Sequence, residues 1–574
     1  RKARAITGEK KQDVSGFMWA TNERILFFMD KDGSESFGIF AVNTDGSRSK
    51  VLVEPLASVI ATGRASELRI GRGIDILENE PDWVLVSSNE RRAAYPDVFR
   101  MNIMNGKTQL IQRNPGNVTN WFTDWDGKVV GAVFQDDLKV GFKILKDGQE
   151  DQWEDVTSTR FDAHSFMPAG IKGDGTTGYV SSNLTPDGKP RDKAAIYEYN
   201  FQTRTFGDLV YERDEVDCCA LIQNKKMRDM IGVAYMVGKP EQVYFDPTWK
   251  ARMDAIDRAL PDTYNAFTSL DDAETIGIVA ASNSTQPTKY YLFDFVNKKF
   301  EHLADSRPWV DASKMSEMKP YSFEARDGRL LHGYVTIPHG SDGKNLPLVV
   351  NPHGGPWARD GWGYNAEHQF LANRGYAVIQ VNFRGSTGFG MDHMQSSWKQ
   401  WGQAMQNDVT DAVQWAIDQG IADADRVCIY GASYGGYATM AGLTFTPELY
   451  KCGINYVGVT DIPLLFKTAP DSWAAGQEQM KIMVGDPDTE EEFLEQWSPV
   501  HHADKIQAPV FMAYGKQDPR VSIKHATVME KAMKKAGVDY ELMVKRDEGH
   551  GFRKEENRYD FYGKVDSFLA EHLK

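Results

Sequence analysis

Cysteine is scarce in this chain: four in 574 residues, too few for a disulfide scaffold, and none is spaced as a paired CxxC metal site. Cys218 and Cys219 are adjacent, while Cys428 and Cys452 lie in two apolar runs. All four read as buried free thiols, a bridge between Cys428 and Cys452 being reserved for an oxidising compartment. Long apolar runs are missing too. No stretch approaches the ~18 to 20 uncharged apolar residues that cross a bilayer, so the chain does not hold itself in a membrane. Nor is there an excess of positive charge. With 66 Lys and Arg against 81 Asp and Glu the net charge is −15, a sign that repels nucleic acid and anionic headgroups, and neither is an expected partner. The chain opens Arg1-Lys2-Ala3-Arg4 without Met, as a processed or trimmed terminus would. A signal peptide is then out of view, and localisation stays open between the cytoplasm and, had a leader been removed, the periplasm or exterior.

What is present is a core-forming composition, 41% hydrophobic and 26% charged with 50 glycines, long enough for about three to five domains or two large ones. The two halves differ. Up to about Asp305, short alternating runs are broken by Asp-Gly or Asn-Gly turns at Asp32-Gly33, Asp45-Gly46, Asn105-Gly106, Asp126-Gly127, Asp147-Gly148, Asp174-Gly175 and Asp187-Gly188, and helical periodicity is nearly absent. A strand-turn-strand unit recurs near Ile39, Val98, Ile144, Ile196, Val243 and Leu292, 46 to 59 residues apart. That period, in or slightly above the ~40 to 50 of four-stranded blades, predicts a β-propeller over 1–310 rather than an irregular stack of sandwiches. Six blades are visible; either they close or a further blade belongs to the trimmed terminus.

After Pro320 apolar strands alternate with helical segments, which predicts a largely parallel sheet in a second domain over 311–574. Strands begin at Leu346, Tyr376, Arg426, Lys451, Pro509 and Asp539, and helices are expected over 365–374, 408–419, 434–445, 522–536 and 558–573.

Gly431-Ala432-Ser433-Tyr434-Gly435 fits G-x-S-x-G at the end of an apolar strand and the start of a small-residue helix. There a serine sits on a strained turn with its hydroxyl projecting from the sheet. Ser433 is the candidate nucleophile, and it needs a histidine to take its proton and a carboxylate to orient that histidine. Among the downstream histidines, His501 and His502 precede a strand, His525 falls within a helix and His572 is near the terminus. His550, between glycines in DEGHGF after the last strand, is the favoured base. Asp518 ends the preceding strand, exposed at its carboxyl end and held by a turn that Pro519 stiffens, and is the favoured acid. Asp547 and Glu548 are rivals too close to His550 in the loop, and Asp461 reads better as a cap. The oxyanion needs two donors already in place: the N–H of Tyr434, and one from Gly354 or Gly355 in the loop 351–360, where no Cβ blocks approach. His353 reads as structural.

The set His353-Gly354-Gly355-Pro356, NFRGSTGFG at 382–390, GASYGGYA at 431–438, QDPRVS around Asp518 and EGHGF around His550 resembles the prolyl oligopeptidase family of serine peptidases. The HGGP form is most similar to its acylaminoacyl peptidase and dipeptidyl peptidase branches. The resemblance implies an N-terminal β-propeller covering a C-terminal α/β-hydrolase domain, in which it limits entry to short peptides. It implies that Arg520 binds a substrate carbonyl, and that Phe466, Leu465 and Trp473 line an apolar S1 pocket unless they serve only as core. In dipeptidyl peptidases, propeller carboxylates clamp the free amine; the run holding Glu212 and Glu215 does not match that element and reads as a solvated loop. The expected activity is hydrolysis of short peptides by a Ser-His-Asp acyl-enzyme mechanism, releasing N-terminal residues, dipeptides or acylated residues, with no metal or organic cofactor. The alternatives are a carboxylesterase and a non-catalytic propeller scaffold. Self-association is left open.

Overall fold

The computed structural model describes residues 4–9, 13–30, 35–55, 71–145 and 152–574. The expected turns at Asp32-Gly33 and Asp147-Gly148 lie outside them. The chain falls into two compact units: Arg1–Met167 with Asn455–Asp504 and Val510–Phe568, and Pro168–Ile454 with Lys505–Pro509 and Leu569–Lys574.

The N-terminal half is a six-bladed β-propeller. Its antiparallel sheets run through residues 16–53, 71–112 and 118–160 in the first unit and 166–211, 220–244 and 264–305 in the second, the fourth opening at the division. The Asx-Gly turns work as expected: Gly46, Gly106, Gly127, Gly175 and Gly188 have φ between 70° and 85°, a region a Cβ disfavours. Successive sheets bury their apolar faces against each other, Leu26 and Ile39 meeting Val84 and Met101, and Leu85 and Val98 meeting Trp121 and Phe134.

The fifth sheet corrects the sequence reading. It has three strands, and the segment after Tyr244, expected as part of a strand pair, is the helix Pro247–Ala259. Asp246 caps it by accepting from Trp249 N, Pro247 occupies the first turn, and Trp249, Met253 and Ile256 bury one face. These are helix-start signals with a 3.6-residue period, and they outweigh the β-repeat. A second correction concerns Cys218 and Cys219, which are disulfide-bonded to each other rather than free; counting cysteines by spacing does not foresee a pair at adjoining positions. Cys428 and Cys452 are free and buried as expected, and burial, with the neighbouring Cys452, pushes the Cys428 thiol up.

The C-terminal half is an α/β-hydrolase. In the second unit a hairpin of β1 (Met318–Glu324) and β2 (Leu330–Thr336), absent from the sequence reading, pairs antiparallel with β4 (Ala377–Asn382). There β3 (Leu346–Val350) runs parallel to β4 and to β5 (Ala422–Ala432). In the first unit β7 (Val510–Gly515) runs parallel to β8 (Tyr540–Lys545), and the division falls inside β6 (Cys452–Tyr456). The helices that matter to the site are α1 (Ala366–Asn373), α2 (Ala404–Asp418), α3 (Tyr434–Phe445), α4 (Ile462–Lys467), α5 (Lys524–Ala536) and α6 (Glu555–Leu573). α3 is buried from Tyr434 to Thr444, as its apolar, small-residue sequence requires. Among the described residues no helix is long and apolar enough to cross a membrane.

Candidate active site

Ser433 joins β5 to α3 with φ 60° and ψ −118°, and its hydroxyl is not spent on capping the helix. A non-glycine residue holds such a conformation only where its surroundings impose it. The two flanking glycines do so. A Cβ on Gly431 would overlap the carbonyl oxygen of Gly435, and one on Gly435 would overlap that of Pro352. The start of α3 is thus pressed directly on the loop after β3.

That loop is fastened from several sides. Asn351 Nδ2 donates to Tyr430 O of β5 at 2.6 Å, and its Oδ1 accepts from His368 Nε2 at 3.1 Å. Burial lowers the His368 pKa to about 4. His353 Nδ1 donates to Gly354 O at 2.7 Å, its Nε2 lies 2.9 Å from Ser386 Oγ, and its ring stacks on Phe383 at 4.3 Å. Gly354 passes close to the serine: an added Cβ would stand 3.4 Å from Ser433 Cβ and 4.0 Å from Oγ. Gly355 has φ 129°. Tyr434, the first residue of α3, has an amide without an intrahelical acceptor, and its buried ring packs among Phe383, Trp401 and Tyr437. Backbone donors beside a serine Oγ can receive the charge of a tetrahedral intermediate.

In the other unit, His550 Nδ1 donates to Asp518 Oδ2 at 2.7 Å. Asp518 was expected to be exposed, yet its side chain is 0% accessible and that of His550 is 12% accessible. The reason lies in the turn: Asp518 Oδ1 accepts the amides of Arg520 and Val521 at 2.8 and 2.9 Å, so the carboxylate folds back under its own loop. With Nδ1 on a carboxylate, Nε2 is the nitrogen able to take a proton.

The rival groups are engaged elsewhere. Asp461 caps α4 through Leu464 N, Asp547 pairs with Lys554, and Glu548 accepts from Arg553 N, Lys554 N and Asn557 Nδ2. His525 is buried, which drops its pKa to about 3, and His502 Nε2 binds Gln496 O. Glu212 pairs with Arg191 and Glu215 with Arg213. Leu465 and Phe466 are buried on α4, and Trp473 is half-buried.

Arg520 is half exposed, at 52%, and its Nε donates at 2.6 Å to Glu35, a blade-one carboxylate only 11% exposed. Arg553, in the His550 loop, reaches Asp30 at 3.4 Å. Neither acid is visible from sequence, because nothing local marks a hairpin carboxylate as facing a loop about 500 residues later. Tyr456 is likewise unheralded: its hydroxyl accepts Phe552 N.

Residues 362–574 match the profile described as prolyl oligopeptidase family. Over 585 residues the chain is 32% identical to dipeptidyl aminopeptidase BIII of Pseudoxanthomonas mexicana, covering 100% of this chain and 82% of that protein. The chain belongs to the prolyl oligopeptidase family. It is therefore a serine peptidase, and peptides are its substrates. It is also 26% identical over 605 residues to dipeptidyl peptidase family member 6 of Caenorhabditis elegans, covering 100% of this chain and 80% of that one. Its fold matches an acylaminoacyl peptidase of Pyrococcus horikoshii with a TM-score of 0.67 at 18% identity, over 96% of this chain and 87% of the other.

Proposed function

We propose that this enzyme releases dipeptides from the free N-termini of short peptides, with Ser433 as nucleophile, His550 as general base and acid, and Asp518 as the orienting carboxylate. Residues 311–574 are read as the catalytic domain and 1–310 as the propeller. The observation that carries the mechanism is the imidazole fixed at Nδ1 by a buried carboxylate. His550 Nε2 takes the Ser433 proton as Oγ attacks the scissile carbonyl. The oxyanion is received by the N–H groups of Tyr434 and of Gly354 or Gly355, each donor worth about 10²- to 10³-fold in rate. His550 then protonates the leaving amine, and an acyl-enzyme remains. Water, deprotonated by the same nitrogen, attacks the ester, and Ser433 regains its proton as the dipeptide leaves.

Asp518 stabilises the transient imidazolium without accepting its proton. Acyl transfer to serine calls for no metal or organic cofactor. Leu465, Phe466 and Trp473 form the apolar pocket for the P1 side chain, and Arg520 binds a backbone carbonyl of the substrate. Glu35, hydrogen-bonded to Arg520, is read as the carboxylate that receives the substrate ammonium. Release of dipeptides is favoured over other N-terminal products by the similarity, along the whole chain, to a protein named as a dipeptidyl aminopeptidase.

Mass spectrometry of peptides with free and acetylated N-termini tests the reading. Stepwise loss of two residues from the free peptides alone is expected. Release of acetylated residues, or internal cuts indifferent to the terminus, would sink it.

A further inference from the structure

His550 sits between two glycines, on a segment whose backbone has little stiffness of its own: Gly551 adopts φ 103° and its N–H turns back to Gly549 O at 2.9 Å. The segment 546–554 is nevertheless fixed at three points, and two of them belong to Glu548. That residue is fully buried, at 0% exposure. Its Oε2 accepts Arg553 N at 2.9 Å, while Oε1 accepts Lys554 N at 2.9 Å and Asn557 Nδ2 at 2.8 Å. One carboxylate therefore closes the loop from its first limb to its second and ties it to the first turn of α6, whose amide end favours negative charge.

The carbonyl of Glu548 is the second point. It accepts Gln517 N at 2.8 Å, beside Asp518, and β7 approaches so closely that a Cβ on Gly515 would overlap Gly549 O. The third point is Tyr456, whose hydroxyl accepts Phe552 N and whose ring stacks on Phe561 of α6 at 4.3 Å. A buried carboxylate is unfavourable unless its lone pairs are met. Here three donors meet them, none a charged side chain, and all lie on the backbone or helix that frames the histidine.

We propose that Glu548 and Tyr456 are positioning residues that hold the His550 loop in the one geometry where Nδ1 reaches Asp518, so that they govern turnover and not substrate binding. The proposal rests on the reading of His550 as the base. Gln at 548 would keep one acceptor oxygen and set an NH2 group against an amide N–H. Phe at 456 keeps the stack and loses the acceptor.

The test uses full-length Glu548→Gln, Tyr456→Phe and His550→Ala enzymes, with active sites of the first two counted by exhaustive fluorophosphonate labelling and His550→Ala compared at equal protein concentration. The measurements are kcat and KM on a dipeptidyl anilide and the rate of fluorophosphonate capture across pH. Expected is a fall in kcat of about 10- to 100-fold for Glu548→Gln, the size of loss that follows when the outer hydrogen-bond partners of metal-binding histidines are removed. A smaller fall is expected for Tyr456→Phe, with KM within twofold and labelling slowed in proportion in both variants. Tyr456→Phe decides the matter should Glu548→Gln not fold. Wild-type kcat in the foldable variants while His550→Ala is inactive overturns the clamp alone, as does a loss carried by KM. Normal turnover by His550→Ala overturns the catalytic reading and the clamp with it.

Discussion

Asp518 accepts three hydrogen bonds at one buried carboxylate, two from its own turn and one from His550. Asp518→Asn keeps the shape but sets an amide against donors and loses the tautomer that frees Nε2. We expect kcat to fall about 10⁴-fold with KM nearly unchanged, as measured by steady-state kinetics. A methyl at Gly354 would enter the space beside Ser433 Oγ, at 3.4 Å from its Cβ and 3.2 Å from Ala432 O. Gly354→Ala should lower kcat for peptides by at least tenfold while the melting temperature stays close to wild type, since this position has no left-handed φ to strain. At Glu35, replacement by Gln should raise KM for substrates with a free amine and leave fluorophosphonate labelling unchanged; equal KM values would remove Glu35 from the binding role.

The elements differ in how plainly the sequence announces them. The bounds of helix α3 follow from its sequence, because G-x-S-x-G fixes its start and its small residues suit close packing. The Pro247–Ala259 helix is masked by the β-repeat around it, although Asp246 and Pro247 signal it locally. The pairing of Asp518 with His550 was foreseeable because each follows a strand. The contacts of Glu35, Asp30 and Tyr456 were not, since each joins segments far apart in the chain. Packing at the element scale also explains the NFRG segment. Burial works against the Arg384 charge, but its hydrogen bonds to Asp408 and Asp327 outweigh that and push its pKa up. Asp408→Ala removes the buried partner and should cost about 3 to 5 kcal/mol, read from chemical denaturation, with Asp327 holding the loss toward the lower end.

For the whole molecule, stability should fall on mild acidification. Burial keeps His368 and His393 at about 4 and His525 at about 3, against 6.5 for a solvated histidine. The unfolded chain takes up these protons first, so stability is complete above about pH 6.5 and drains away toward pH 4. His393→Gln, which still donates to Phe383 O, should flatten the slope of melting temperature against pH between 7 and 4.5; an identical slope would show that this site does not contribute. A scissile bond must also be extended to meet backbone donors beside Ser433. An oligopeptide is therefore expected to be cut faster than the same sequence inside a folded protein, and a matched ester and anilide should both be turned over.

Two arginines near the proposed acid and base, Arg520 and Arg553, have their acidic partners in the first blade. A freestanding 311–574 fragment would leave both cations without those counter-charges. Chimeras that graft this hydrolase onto a relative's blades would need to transplant Asp30 and Glu35 as well, or accept a recombinant that binds and turns over peptides poorly for reasons no inspection of its triad could reveal.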